Sequence, residues 1–210
     1  MLLRMSRNHG FSAVVIAVML LVAPACSSSP SAPTTTGPFV VAGRVLDYQT
    51  NAGVAGATVS FGDLLSAAVL PGDPRSVSDG SGSYQVTLMP GEYHVWIDNT
   101  YRGLARVRSG ANRADLLVHD AGCTALYGTI ADARTGRSIA GATLSLVGVT
   151  GISDSIGAYR LELGCRGFFA FTGTIAMSVT RTGYQNKSVP MGRGEGLNYV
   201  LRQDVDLDPQ

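Results

Sequence analysis

The chain has 210 residues, of which 16 are basic, 15 acidic and 26 glycine, and its formal charge is +1. Only 15% of the residues are charged and 45% are hydrophobic, which excludes a disordered chain and a long coiled coil. Near-neutrality removes the electrostatic case for a nucleic-acid partner, which calls for clustered basic side chains. Three cysteines are an odd number for an exported chain.

The first elements are addresses rather than structure. Met1 to Gly10 carry Arg4 and Arg7 and no acid; Phe11 to Val22 is an apolar run with one serine; Ala23-Pro24-Ala25 and Cys26 follow. This order reads as a secretory signal over residues 1–25, and the run is shorter than the about 20 residues that span a bilayer. The cut has two readings. Ala23-Pro24-Ala25 fits ordinary signal peptidase and a soluble secreted or periplasmic product. The same stretch resembles a bacterial lipobox, in which the Cys26 thiol carries a diacylglyceryl group. The Ser/Pro/Thr-rich residues 26–38 cannot build a core and read as a solvated spacer, the arrangement expected behind a membrane anchor. Resemblance to lipoprotein sorting, with Ser27 after the cysteine, implies the outer membrane, facing the periplasm or the surface. Loss of Arg4 and Arg7 lowers 16 basic residues to 14 against 15 acidic ones, a net charge of −1.

Beyond the spacer the chain repeats itself. Val40 to Phe61 aligns with Ala125 to Leu146 at an offset of 85, matching Gly43 to Gly128, Asp47 to Asp132, Thr50 to Thr135 and Ala55-Gly56-Ala57-Thr58 to Ala140-Gly141-Ala142-Thr143. Ser78-Asp79 through Tyr84 aligns with Ser153-Asp154 through Tyr159 at an offset of 75, so the first copy holds ten extra residues within Gly62 to Arg75. Period-two runs such as Tyr84, Val86, Leu88 and Tyr93, Val95, Ile97, bounded by Gly, Pro, Asp and Ser, predict short strands and turns. No stretch keeps a helical period. The expected class is all-β, with two tandem immunoglobulin-like or transthyretin-like sandwiches over 39–120 and 121–203 and an acidic tail over 204–210.

These motifs resemble the carboxypeptidase regulatory-like (transthyretin-like) domain. The first copy supplies Gly43-Arg44-Val45-Leu46-Asp47, Gly56-Ala57-Thr58-Val59, Asp79 to Tyr84 and Pro90-Gly91-Glu92-Tyr93-His94-Val95. The second supplies Gly128 to Asp132, Gly141-Ala142-Thr143-Leu144 and Asp154 to Tyr159, with Gly164-Cys165-Arg166-Gly167 in place of Pro-Gly-x-Tyr. The resemblance implies a β-sandwich and says little about a ligand.

Candidate sites are few. With Cys26 assigned to lipid, Cys123 and Cys165 remain, and an oxidising envelope favours their pairing. Asp79 to Gly82 reads as a turn, since the further oxygen ligands of a calcium loop are missing. His94 and His119 start no metal motif, and no nucleophile elbow or phosphate loop occurs. We therefore expect no enzyme, no metal and no cofactor. Trp96, with Tyr93 and Tyr101, reads as core packing or as a stacking platform for a sugar. Arg102, Arg106, Arg108 and Arg113 read as a solvated face or as a docking surface for an acidic partner or phosphate-bearing glycan. The expected function is a non-enzymatic, lipid-anchored envelope protein acting in adhesion, scaffolding or accessory binding, its partner an envelope protein or glycan. The alternative is a carbohydrate-binding accessory lipoprotein using Trp96 and its neighbouring tyrosines.

Overall fold

A computed structural model describes residues 37–110, 112–118, 123–164, 174–193 and 200–210. The period-two runs become strands, and no helix occurs among the described residues. The fold is an all-β sandwich architecture.

Strand β1 (Phe39–Asp47) pairs antiparallel with β4 (Ser83–Leu88) and parallel with β7 (Asn112–Arg113) and β8 (Leu116–Val118). Its inward residues Val41 and Val45 join Tyr84, Val86, Leu88 and Leu116. Facing them are Val59 and Phe61 of β2 (Thr58–Gly62), Val95 and Ile97 of β5 (Gly91–Ile97), and Ala105 and Val107 of β6 (Thr100–Val107). β3 (Arg75–Val77) lies on the edge of β2. Alternation along each strand sends one set of side chains into this core and the other outward.

The second copy repeats the plan. β9 (Thr124–Asp132) pairs antiparallel with β12 (Ala158–Gly164) and parallel with β16 (Val205–Leu207). Opposite lies a sheet in the order β11 (Val149–Ile152), β10 (Thr143–Leu146), β13 (Thr174–Thr180), β14 (Lys187–Arg193). Ile130, Leu144, Leu161, Met177 and Leu207 fill the second core.

Matched residues do matched work. Asp47 accepts the Thr50 amide at 2.8 Å and Asp132 the Thr135 amide at 2.8 Å. The Ser78 hydroxyl accepts from Ala57 N and donates to Val54 O, as Ser153 does with Ala142 N and Ile139 O. The Tyr84 hydroxyl donates to Ala114 O and the Tyr159 hydroxyl to Gln203 O. A Cβ on Gly43 would stand 2.1 Å from Ala114 O, and one on Gly128 2.2 Å from Gln203 O. The last strand of each copy can therefore close against the first only across glycine.

One expectation is corrected. Residues 204–210 are not an acidic tail: Val205 is 2% exposed and Leu207 fully buried, because β16 completes the second core as β8 completes the first. The two copies share a sheet. β15 (Val200–Gln203) lies between β9 and β6, parallel to both, so one eight-stranded sheet, β12-β9-β15-β6-β5-β2-β3 with β16 against β9, runs through both copies. Residues 34–210 form one compact unit.

Leu207→Ala is expected to lower stability by about 2–5 kcal/mol, the usual result of emptying a buried leucine site. Urea denaturation measures it; a loss below about 0.5 kcal/mol, the range of surface substitutions, would mark the segment as a dispensable tail.

Candidate functional site

The strand that joins the two copies brings its own charge. Parallel pairing aligns Arg202 with Gly103 and Gln203 with Leu104. Gly103 sits at φ +114, and a Cβ there would stand 1.9 Å from Arg202 O; only glycine combines that conformation with so close an approach. Next to it, the Asp204 carboxylate accepts from five donor groups. These are Thr129 N and Thr129 Oγ1 at 2.9 Å, Arg106 N at 3.0 Å, Arg202 Nη2 at 2.9 Å and Arg202 Nε at 3.2 Å. The Arg202 and Asp204 side chains are 5% and 3% exposed. Arg202 Nη1 also donates to Asp115 O at 2.9 Å. Burial works against the Arg202 charge, but the Asp204 carboxylate outweighs it, with the Tyr127 and Tyr84 hydroxyls in support, and the proton is held more tightly than usual.

A second carboxylate extends the network. Asp206 pairs with both Arg106 and Arg108, and Arg106 also reaches Glu92. Lys187 Nζ donates to Asp206 O at 2.7 Å. The solvated-face reading is overturned for Arg102, Arg106 and Arg108: Arg106 and Arg108 are partly buried ion-pair donors and Arg102 is 8% exposed, whereas the Arg113 side chain is 74% exposed and stays solvated. The first three line the seam because β6 is an interior strand of the shared sheet, not an edge.

Apolar contacts finish the join. Leu46, Tyr48 and Leu117 of the first copy pack on Cys123, Ala125, Tyr127 and Val200 of the second. The Tyr127 hydroxyl accepts from Leu117 N at 2.8 Å, and burial pushes its pKa up to about 12. The Arg160 guanidinium lies 4.0 Å from the Tyr48 ring centroid. Beside these contacts opens a cleft of about 510 Å³, with Arg106, Arg108, Arg113 and Arg160 on its polar side and Leu117 and Ile130 on its apolar side. Arg106 Nε is buried there without a hydrogen-bond partner.

The aromatic candidates separate into two groups. Trp96 is 8% exposed; its ring meets Tyr101 edge-to-face at 5.2 Å, and His94 stacks edge-on to both. Tyr93 points the other way, edge-on to Phe61 of the first core at 6.3 Å. Trp96 Nε1 is buried without a hydrogen-bond partner among the described residues. Asp79 takes the Ser81 hydroxyl and the Ser83 and Ser81 amides, which in that order hold its carboxyl below the ordinary value. Its oxygens serve the turn. No group of three or more His, Cys, Asp or Glu placed to hold a metal occurs among the described residues. Cys123 is 1% exposed; Cys26, Cys165 and His119 lie outside the described residues.

The seam carries a further repeat, outside the strand and turn motifs. Arg113-Ala114-Asp115-Leu116 matches Arg202-Gln203-Asp204-Val205 at an offset of 89. Asp115 accepts from Arg44 N as Asp204 accepts from Thr129 N, and residues 44 and 129 are themselves matched. In the first copy the pair is open, with Arg113 and Asp115 side chains 74% and 33% exposed.

No protein-family profile and no curated protein matches the chain. Among solved structures, it is similar to the Bacillus anthracis TIE protein (15% identity, TM-score 0.30, covering 82% of this chain and 34% of that one). It is also similar to the shaft pilin SpaA of Lactobacillus rhamnosus GG (11% identity, TM-score 0.31, 82% and 98%) and to a Streptococcal ancillary pilin (17% identity, TM-score 0.30, 84% and 64%). The chain thus spans about a third of the TIE protein's length.

The two copies of the Arg-x-Asp pair give a paired prediction. Asp204→Ala strands a buried guanidinium and is expected to lower stability by about 3–5 kcal/mol. Asp115→Ala removes an exposed pair with Arg113 and the acceptor of Arg44 N, and is expected to cost about 1–2 kcal/mol, less than Asp204→Ala. Chemical denaturation of both variants tests this; equal losses would mean that the seam pair is no more buried in effect than its open counterpart.

Proposed function

We propose that the chain is a non-enzymatic, lipid-anchored envelope protein that presents two β modules as one stiff adhesion or scaffolding element. The observation that carries this reading is the shared sheet, in which β15 ties the second copy to β6 of the first. Two modules joined by a strand ladder and a buried ion network have no hinge between them, so a surface on one is held at a fixed place relative to the other. Such rigidity suits a spacer or presenting element. The cleft is where an acidic envelope partner, protein or glycan, would dock, through its more exposed arginines Arg113 and Arg160, since guanidinium groups take carboxylate or phosphate oxygens in pairs.

Two further parts belong to this reading. The first is the anchor at Cys26, supported by the lipobox resemblance and the spacer behind it. Several acyl chains hold where one is marginal, at about 0.8 kcal/mol for each buried CH₂. The second is a Cys123–Cys165 disulfide. Thr124 stands opposite Gly164 in the β9–β12 ladder; Cys123 precedes the one and Cys165 follows the other in the chain. Closing a loop of that length contributes about 4 kcal/mol on the chain-entropy account.

Fractionation tests the anchor. The native chain is expected in the membrane pellet and Cys26→Ala in the soluble fraction; a Cys26→Ala chain that still pellets with membranes contradicts it. Intact mass after thiol alkylation tests the disulfide: Cys123 and Cys165 should gain adducts only once reductant is present, and adducts on both without reductant refute the pairing.

A further inference from the structure

The ten extra residues of the first copy are not a slack loop. Where the second copy turns from β10 to β11 through Val147-Gly148, the first sends out Asp63 to Pro74, which contains no Lys or Arg. Leu65 is 92% exposed, Leu70 50% and Leu64 41%. The loop is braced by short-range hydrogen bonds at its surface. Asp63 Oδ1 accepts the Leu65 amide at 3.0 Å, and Asp73 Oδ2 accepts the Leu70 amide at 2.7 Å. Arg75 donates to Leu70 O at 2.9 Å and to Pro71 O at 3.0 Å. Ser66 O lies 3.2 Å from His94 Nδ1, which ties the loop to β5. The result is a braced tip that puts leucines into solvent.

The place of the tip identifies its occupant. β2 runs antiparallel to β5 with Gly62 opposite His94, so it ends toward the pole where β5 begins. That pole holds the β4–β5 turn, and Leu88 at the end of β4 stands opposite Phe39. The loop therefore leaves the sandwich at the pole where the chain enters from the spacer. Val40 and Met89, 47% and 50% exposed, lie at the same pole. The twelve spacer residues from Ser27 to Pro38 reach at most roughly 40 Å, so a tether at Cys26 joins the sandwich at this pole and lets it reach the bilayer.

We infer that the Leu64–Leu70 loop is a membrane-seated tip, burying Leu64, Leu65 and Leu70 in the phospholipid surface next to the anchor. The inference rests on the anchored reading of Cys26. Two contacts then fix the orientation of the stiff element on the membrane, where a lipidated spacer alone would leave it free to swing. Taking Leu65 from water strengthens membrane partition by about tenfold or more, and the half-exposed Leu64 and Leu70 by about half that free energy each.

The test uses the lipidated mature chain with Leu65→Trp, reconstituted in vesicles of phosphatidylethanolamine and phosphatidylglycerol, against the native chain whose Trp96 is buried. The introduced indole should shift its emission to the blue and lose at least about half its intensity when the vesicles carry brominated acyl chains. In a Cys26→Ala background, replacing Leu64, Leu65 and Leu70 by Ser should weaken vesicle partition at least about a hundredfold. A chain that floats with the vesicles while its introduced indole stays water-exposed and unquenched overturns the tip and leaves the anchor standing. A lipidated chain that does not float overturns both.

Discussion

The Asp204 carboxylate is the constraint on which the rest of this molecule depends. It lies in a nearly dry seam and is tolerated there because five donors converge on it, from Thr129, Arg106 and Arg202. Those donors come from β9, β6 and β15, the three strands that must lie side by side for one sheet to pass through both copies. A carboxylate with fewer partners would be expelled or protonated. Satisfied, it fixes the relative position of three strands at once and leaves no register in which the copies can slide.

The same device is present twice and used differently. Arg113 and Asp115 repeat the geometry of Arg202 and Asp204, but β7 lies at the edge of its sheet and the Arg113 side chain stays 74% exposed. The difference comes from the receiving edge. β6 offers Gly103, where a strand can approach to contact. In the second copy Val189 opposes Met177 as Gly103 opposes Val95, and the next residue is Pro190, which has no N–H to pair. A side chain where close approach is needed and a missing donor are the usual means by which an edge strand is closed to further pairing. The seam thus forms once within the chain.

Much of the fold is legible in the residues themselves. The turn aspartates Asp47 and Asp132, the core tyrosines Tyr84 and Tyr159, and the close-approach glycines Gly43 and Gly128 all lie at the repeat offsets and do the same work in each copy. Period-two alternation locates the long strands. The closing strands give no such signal because β7, β8, β15 and β16 are two to four residues long, too short for alternation to show. Only the Arg-x-Asp signature at a different offset marks them, and without it Asp204 to Gln210 reads as a charged end. The seam leaves still less trace: Leu104 and Gln203 are neighbours in the sheet and about a hundred residues apart in the chain, and pairing at that range has no local signal. Trp96 and Tyr101 are neighbours in space as their spacing suggests, while Tyr93, one strand position out of phase, belongs to the opposite face.

Differential scanning calorimetry of the mature chain tests the central claim most directly. If the shared sheet and the Asp204 network make the two cores one cooperative unit, both melt in a single transition whose calorimetric and van't Hoff enthalpies agree. Two resolved transitions, or a calorimetric enthalpy about twice the van't Hoff value, would show two modules that merely touch.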